Sequence, residues 1–363
     1  MDRRRRWNIA LRVALAALAL TSIAALYRSR VEAPPETVPM HRSRITDIGM
    51  VDLGTLGGSM SAAFDINDSG LVVGYSHTEG DRTFHAAIFR NGAVIDLGTL
   101  GGTMSRAWAV NNAGQVVGES ELAGNAAWHA FLYTGGRMVD LGTLGGTSSS
   151  ARDINDLGHV VGESQGPGDT GTRAFLFADG MMTDLGTLGG SMSTACGINN
   201  RGEIVGYSMI AADRSFHAFL YRHGAMIDLG TLGGTMSAAY RINERGTVIG
   251  ESHISSDAAI HAFLYADGAM RDLKTLGGST SAAGDVNAEG TVVGGSCLRD
   301  DSSSHAFLYG EREGMVDLGS VRGTVSRAYG INRAEQVVGI SRTMRPSGEE
   351  GPSRAFLWSS RYK

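Results

Sequence analysis

From residue 45 onward the apolar residues come in short runs, cut about every ten positions by Gly, Asn or Asp. In one stretch Ala174-Phe175-Leu176-Phe177 is followed by the turn residues Ala178-Asp179-Gly180. A second run from Met181 to Leu188 ends at Gly189-Gly190. A third, Thr194 to Asn199, meets Asn200-Arg201-Gly202, and a fourth covers Glu203 to Ser208. Runs of this length between turn residues predict strands. No stretch past residue 30 holds apolar residues at three- and four-residue spacing over a dozen positions, as a helix requires.

The four-strand unit repeats. Asp52-Leu53-Gly54-Thr55-Leu56-Gly57-Gly58 returns unchanged at Asp96, Asp140, Asp184 and Asp228, with Lys274 in place of Gly at Asp272, and in degraded form at Asp317; five steps are 44 residues and the last is 45. Four short strands per step of that size predict one propeller blade per copy. The expectation is an all-β, seven-bladed β-propeller over residues 45–363, working as a monomer.

The chain ends choose the blade boundaries. Met50 to Leu56 is a "DLGTL" strand with nothing before it to pair with, and Arg354-Ala355-Phe356-Leu357-Trp358 lacks the "DLGTL" strand that follows every other "HAF" strand. Each blade therefore reads, from the axis outward, "SxAxxIN", "VVGxS", "HAF" and "DLGTL", and the N-terminal strand completes the last blade and closes the ring. A closed ring leaves no sheet edge at either end of the array. The Asn that ends each inner strand (Asn67 to Asn332) and the Gly three residues later, replaced by Glu335 in the last copy, fit hairpin turns. The Gly within each "VVG" strand suggests a bulge or a close backbone approach. The inner-strand Ala never varies, and alternation by two places the residue two further on upon the same face. Those residues are mostly small, but Asp65, Asp153, Asp285 and Arg241 break the pattern and mark a candidate channel mouth.

His-Ala-Phe-Leu-Tyr, then Gly, then Asp-Leu-Gly-Thr-Leu-Gly-Gly, then Ile-Asn…Gly…Val-Val-Gly resembles the HAF repeat of bacterial extracellular repeat proteins, over about residues 50–358. The resemblance implies a bacterial, exported protein and no known reaction. Ala87 in place of Phe, and Arg173 and Arg354 in place of His, depart from it.

Composition adds three points. Fifty-two Gly, six Pro and 42% hydrophobic residues suit an all-β body and not a disordered chain. Arg3 to Arg6 followed by the apolar run Val13 to Leu26 predict an export signal over residues 1–27, or an uncleaved membrane anchor, before a proline-containing linker at 28–44. Beyond residue 30 the chain carries 25 basic and 36 acidic residues, a net of −11, which argues against a nucleic-acid partner. Two cysteines, Cys196 and Cys297, are too few for a disulfide framework and predict free thiols.

Ser, His and Asp at fixed offsets invite a hydrolase reading, yet they recur in every copy, where an active site is single. A hydrogen-bonded network tying strands together explains them better. No metal is expected at the His positions. Asp65-Ile66-Asn67-Asp68-Ser69-Gly70 partly matches a calcium loop but has Ser76 where position 12 needs an acid, so calcium is the one weak cofactor expectation. The loops between "VVGxS" and "HAF" are the variable segments, and variable loops on a rigid frame suit binding. The candidates there are Asp81, Phe84, Asn125, Trp128, Asp213, Arg214, Phe216, Asp257, Arg299 and Asp300. Aromatics beside polar groups fit a glycan or a protein ligand, though the aromatics equally suit packing into the blade. The function expected is a non-catalytic, exported binding protein. The alternatives are a polysaccharide-acting enzyme with one acidic site at the channel mouth, or a structural surface protein.

Overall fold

The computed structural model describes residues 49–299, 301–320, 325–344 and 350–359. The expected export segment 1–27, the linker 28–44 and Asp300 lie outside them. Among the described residues the protein is built of antiparallel strands in groups of four, numbered along the chain as sheets 1 to 7: residues 57–96, 101–140, 149–184, 189–228, 233–272, 277–317, and 326–358 together with 50–52. A single parallel bridge from Ile260 to Thr280 joins sheets 5 and 6 into one eight-stranded sheet. In sheets 1 to 6 the strand order across the sheet is the order along the chain. Sheet 7 differs: its outermost strand is Met50–Asp52, with Met50 opposite Trp358 and Asp52 opposite Phe356. The first and last strands of the repeat region thus pair as the chain ends imply.

Each sheet has two apolar faces, and the core lies between neighbouring sheets. One cluster joins Val117 and Ala130 of sheet 2 to Ala151, Ile154 and Phe175 of sheet 3. Another joins Ala63, Val72 and Phe89 of sheet 1 to Val338 and Ala355 of sheet 7. The "HAF" Phe fills these layers, and Phe131, Phe175, Phe219, Phe263 and Phe307 have no exposure.

Backbone approach explains the invariant "VVG" glycine. A Cβ at Gly74 would stand 1.9 Å from the Ala62 carbonyl oxygen, and at Gly118 it would stand 2.0 Å from that of Arg106. The carbonyl is pushed there by a bulge: Ala63 pairs with Gly74 and Asp65 with Val73, so Phe64 is an extra residue. The same shift occurs in the other sheets. It corrects the expectation that Ala63 and Asp65 share a face. Ala63 packs toward sheet 7, whereas Asp65 accepts a bond from the Val110 amide of sheet 2. An extra residue breaks strict alternation, so the period of two does not carry past it.

The recurring polar letters tie strands and sheets together. Ser105 Oγ accepts from the Ala86 amide of the preceding sheet at 2.8 Å and donates to the Gly98 carbonyl at 2.5 Å. Ser149, Ser193, Ser237 and Ser281 repeat both bonds. The Asn of the inner hairpin caps its own turn, as Asn67 Oδ1 does with the Leu71 amide, while its Nδ2 donates to the Asn111 carbonyl of the next sheet. That link passes from Asn67 through Asn111, Asn155, Asn199 and Asn243 to Asn287, and Asn332 donates back to the Asn67 carbonyl at 3.1 Å. Each "HAF" His bonds the "DLG" Asp of its own sheet, as in His129 Nδ1 to Asp140 at 2.9 Å; Arg173 and Arg354 pair with Asp184 and Asp52 instead.

Candidate functional site

In a chain whose copies differ so little, the positions that differ are informative. The loops come first. Asp81, Asn125, Asp213 and Asp257 occupy one register, 29 residues after each "DLG" Asp, together with Asp169 and Asp301. All six have a positive φ between 50° and 56°. Each side-chain oxygen accepts from the amide of the "GGx" residue of its own sheet, as Asp81 does from Ser59 at 2.7 Å and Asn125 from Thr103 at 3.0 Å. Thr235 donates through both its amide and its hydroxyl to Asp257, and these bonds hold that carboxyl below the usual range. These residues are loop clips, and the loops repeat more than their letters suggest. Arg214 and Arg299 are exposed. Phe216 packs edge-on against Tyr207 at 5.7 Å.

Phe84 and Trp128 are brought together. Their rings are near-parallel, 18° apart, with centroids 6.4 Å apart. The Arg106 guanidinium, on the inner strand of sheet 2, lies over both, 4.9 Å from the Phe84 ring and 5.5 Å from that of Trp128. It is also 5.8 Å from the ring of Trp108, which packs at 4.5 Å against Phe64. Phe64 in turn meets Tyr329 of sheet 7 edge-on and Tyr75 of its own sheet. Arg152 of sheet 3 covers Trp108 from its other neighbour at 5.0 Å. A continuous surface of rings and guanidinium groups therefore runs from the inner strands of sheets 7, 1, 2 and 3 to the start of the "HAF" strands.

Three registers build this surface. One is the bulged residue: Phe64, Trp108, Arg152, Cys196, Tyr240, Gly284 and Tyr329. The second lies two residues before it and includes Arg106, Ser150 and Arg327. The third faces them from the second strand, with Tyr75, Glu119, Glu163, Tyr207 and Glu251. Arg106 pairs with Glu119 at 3.4 Å and Arg152 with Glu163 at 2.6 Å. The Arg side chains keep 29% and 26% exposure although they stand on the innermost strands, so they border solvent and not core. Burial opposes the Arg152 charge, but Glu163 and Glu119 outweigh it and raise its pKa. Burial pushes the Cys196 thiol up to about 12. Trp108 Nε1, Arg106 Nε, Ser150 Oγ and Arg327 Nε are buried without a hydrogen-bond partner.

The channel-mouth residues share an environment at the next register. Asp65, Asp153 and Asp285 each bond the following amide of their own strand and the matching amide of the next sheet, Val110, Ile198 and Ile331, at 2.8 to 2.9 Å. The next sheet carries Ala109, Gly197 or Gly330 there, which leaves room for the carboxylate. Arg241 reaches back to the Cys196 carbonyl at 2.8 Å. Burial raises Asp65 to about 6 and Asp285 to about 7 against the pull of Arg241, and burial also raises Asp153. Among the described residues no group of three or more His, Cys, Asp or Glu converges as a metal site. In the part-matched calcium loop Asn67 Oδ1 is taken by the amides of Ser69 and Leu71, and Asp68 Oδ1 by the Arg333 amide.

No family model and no curated protein matches the chain. Solved structures do. The β-propeller domain of the Trilobed protease from Pyrococcus furiosus, described as having an open velcro topology, aligns with a TM-score of 0.52 at 13% identity, over 83% of this chain and 96% of that one. TolB from Acinetobacter baumannii aligns at 0.42 and 14% identity, over 68% of this chain and 64% of that one. An acylaminoacyl peptidase from Pyrococcus horikoshii aligns at 0.49 and 11%, over 82% of this chain and 51% of that one. The four-stranded sheets and the first of these likenesses make the fold a β-propeller.

Proposed function

We propose that this chain is an exported, non-catalytic binding protein: a seven-bladed propeller, closed by its N-terminal strand, that takes a glycan or protein ligand on its inner surface. One observation carries the functional part. Copies that keep their strand-forming letters diverge at the inner registers, and there they diverge toward aromatics, arginines and glutamates that touch one another across sheets. Function resides in such sites and not in the fold. Closure is supported by the pairing of Met50–Asp52 with Phe356–Trp358 and by the bond from Asn332 to Asn67. Export is supported by the basic and apolar N-terminal segment and by the resemblance to HAF repeats.

The raised Asp65 and Asp285 favour the alternative, an enzyme whose acidic site holds carboxyls that titrate near neutral pH. Against it, both oxygens of each side chain are engaged by backbone amides. The recurring Ser, His and Asp are likewise spent on strand ties, which supports a role without catalysis.

The four tryptophans offer a test. Trp108 and Trp128 lie on the inner surface, while Trp358 is only 4% exposed in the core. Glycan and peptide libraries titrated onto the protein should include ligands that change tryptophan emission saturably, with the change lost in Trp108→Phe or Trp128→Phe. Tight ligands that leave emission untouched in every case would place binding elsewhere.

A further inference from the structure

We infer that the ligand of the inner surface is an acidic oligosaccharide, one whose sugar units carry carboxylates; this rests on the reading of that surface as a binding site. The faces of Phe84, Trp128, Trp108 and Phe64 supply flat apolar area, which suits the C–H face of a pyranose. Beside them stand Glu119 and Glu163, acceptors for sugar hydroxyls, and Arg106, whose guanidinium matches a carboxylate in shape and makes no hydrogen bond through Nε; Arg152 is already held by Glu163.

The unmet hydrogen bonds specify the rest. Trp108 Nε1 and Arg106 Nε are buried donors without a partner, and neither can act as an acceptor. Arg106 Nε lies 3.4 Å from Glu119 Oε1, an ion pair that misses hydrogen-bond geometry. Ser150 Oγ, on a residue 5% exposed at the matching register of sheet 3, is also unpartnered. Such groups favour a ligand that brings acceptors. A purely apolar ligand would leave them unmet, and a small inorganic anion would leave the ring faces uncovered. A carboxylated sugar satisfies both. Its carboxylate draws the Arg106 guanidinium off the rings, and its ring takes the face of Trp108 or Trp128 that Arg106 covers.

The test titrates the intact chain with oligogalacturonate and oligomannuronate, and with their carboxyl-reduced counterparts, by calorimetry and tryptophan emission. An acidic oligomer should bind saturably, and its reduced form at least ~10-fold more weakly. Trp108→Phe removes the N–H together with part of the ring face; it should weaken the acidic oligomer by several-fold to ~10-fold while the protein still unfolds cooperatively. Arg106→Gln should remove the preference for the acidic over the reduced form. Equal binding of the two forms overturns the carboxylate and leaves the binding reading standing. Peptides that change Trp108 emission when no sugar does overturn the glycan alone. Failure of every sugar and peptide to change the emission overturns both.

Discussion

Met50→Ala tests how the ends of the chain are held. Met50 has no exposed surface and packs with Trp358, Phe356 and Val337 of sheet 7 and with Val293 and Leu318 of sheet 6. Its strand makes three residue pairs with the last strand, and Leu53 adds an amide bond to the Ala355 carbonyl at 2.9 Å. Truncating a buried Met to Ala removes its transfer energy and leaves a cavity, together about 2–5 kcal/mol. For a unit of roughly 300 residues the unfolding entropy is about 0.6 kcal/mol per degree, so the melting temperature should fall by about 3–8 °C. Ile95, 45% exposed on the outer strand of sheet 1, is the control: Ile95→Ala should stay within about 0.5 kcal/mol of the parent. Differential scanning calorimetry reads both. A Met50→Ala protein that melts with the parent would refute the reasoning that the first strand is an integral part of the last sheet.

Other outcomes follow from the same geometry. Ser105→Ala orphans the Ala86 amide and the Gly98 carbonyl in a fully buried place and should cost about 1–3 kcal/mol in chemical denaturation. Ala212 holds a φ of 66° where Gly124 and Gly168 stand in matching loops, so Ala212→Gly should be neutral or stabilising by up to about 1 kcal/mol. His129→Arg should change stability by less than about 1 kcal/mol, because Arg173 and Arg354 already serve Asp184 and Asp52 at that register. Asp65 and Asp285 are raised in the folded state, so their contribution is full below the ordinary carboxylate range and is lost as pH rises through about 6 and about 7. Asp65→Asn and Asp285→Asn keep an acceptor for the cross-sheet amide; denaturation at pH 5 and pH 8 should show each variant gaining stability relative to the parent at the higher pH.

Much of the fold was legible because it is written in local letters that repeat. The step of 44 residues, the turn Asn and Gly, and the orphan strand at each chain end required only neighbouring positions to be compared. The bulge was not legible. Alternation grouped Asp65 with Ala63, and only the paired register shows that Phe64 is inserted between them and that Asp65 reaches the next sheet. For the same reason the inner surface was half seen. Phe84 and Trp128 stood out as aromatics in loops, but Arg106, Trp108 and Arg152, which bind them into one surface, sit one or two letters from the invariant Ala. Their divergence among near-identical copies was the available signal. In the loops the opposite error arose. Asp81, Asn125, Asp213 and Asp257 looked variable because their neighbours vary, yet they hold one register and one backbone conformation, and at the sixth copy it is Asp301, next to Asp300, that makes the clip.

The most direct measurement is the indole N–H spectrum of the intact chain by two-dimensional NMR as oligogalacturonate is added. The Trp108 Nε1–H has no protein acceptor, so binding at the inner surface should move its signal as it gains a ligand acceptor, with the Trp128 signal shifting too and the buried Trp358 signal unmoved. Saturable binding by calorimetry with the Trp108 and Trp128 signals both stationary would contradict the assignment of the inner surface as the ligand site.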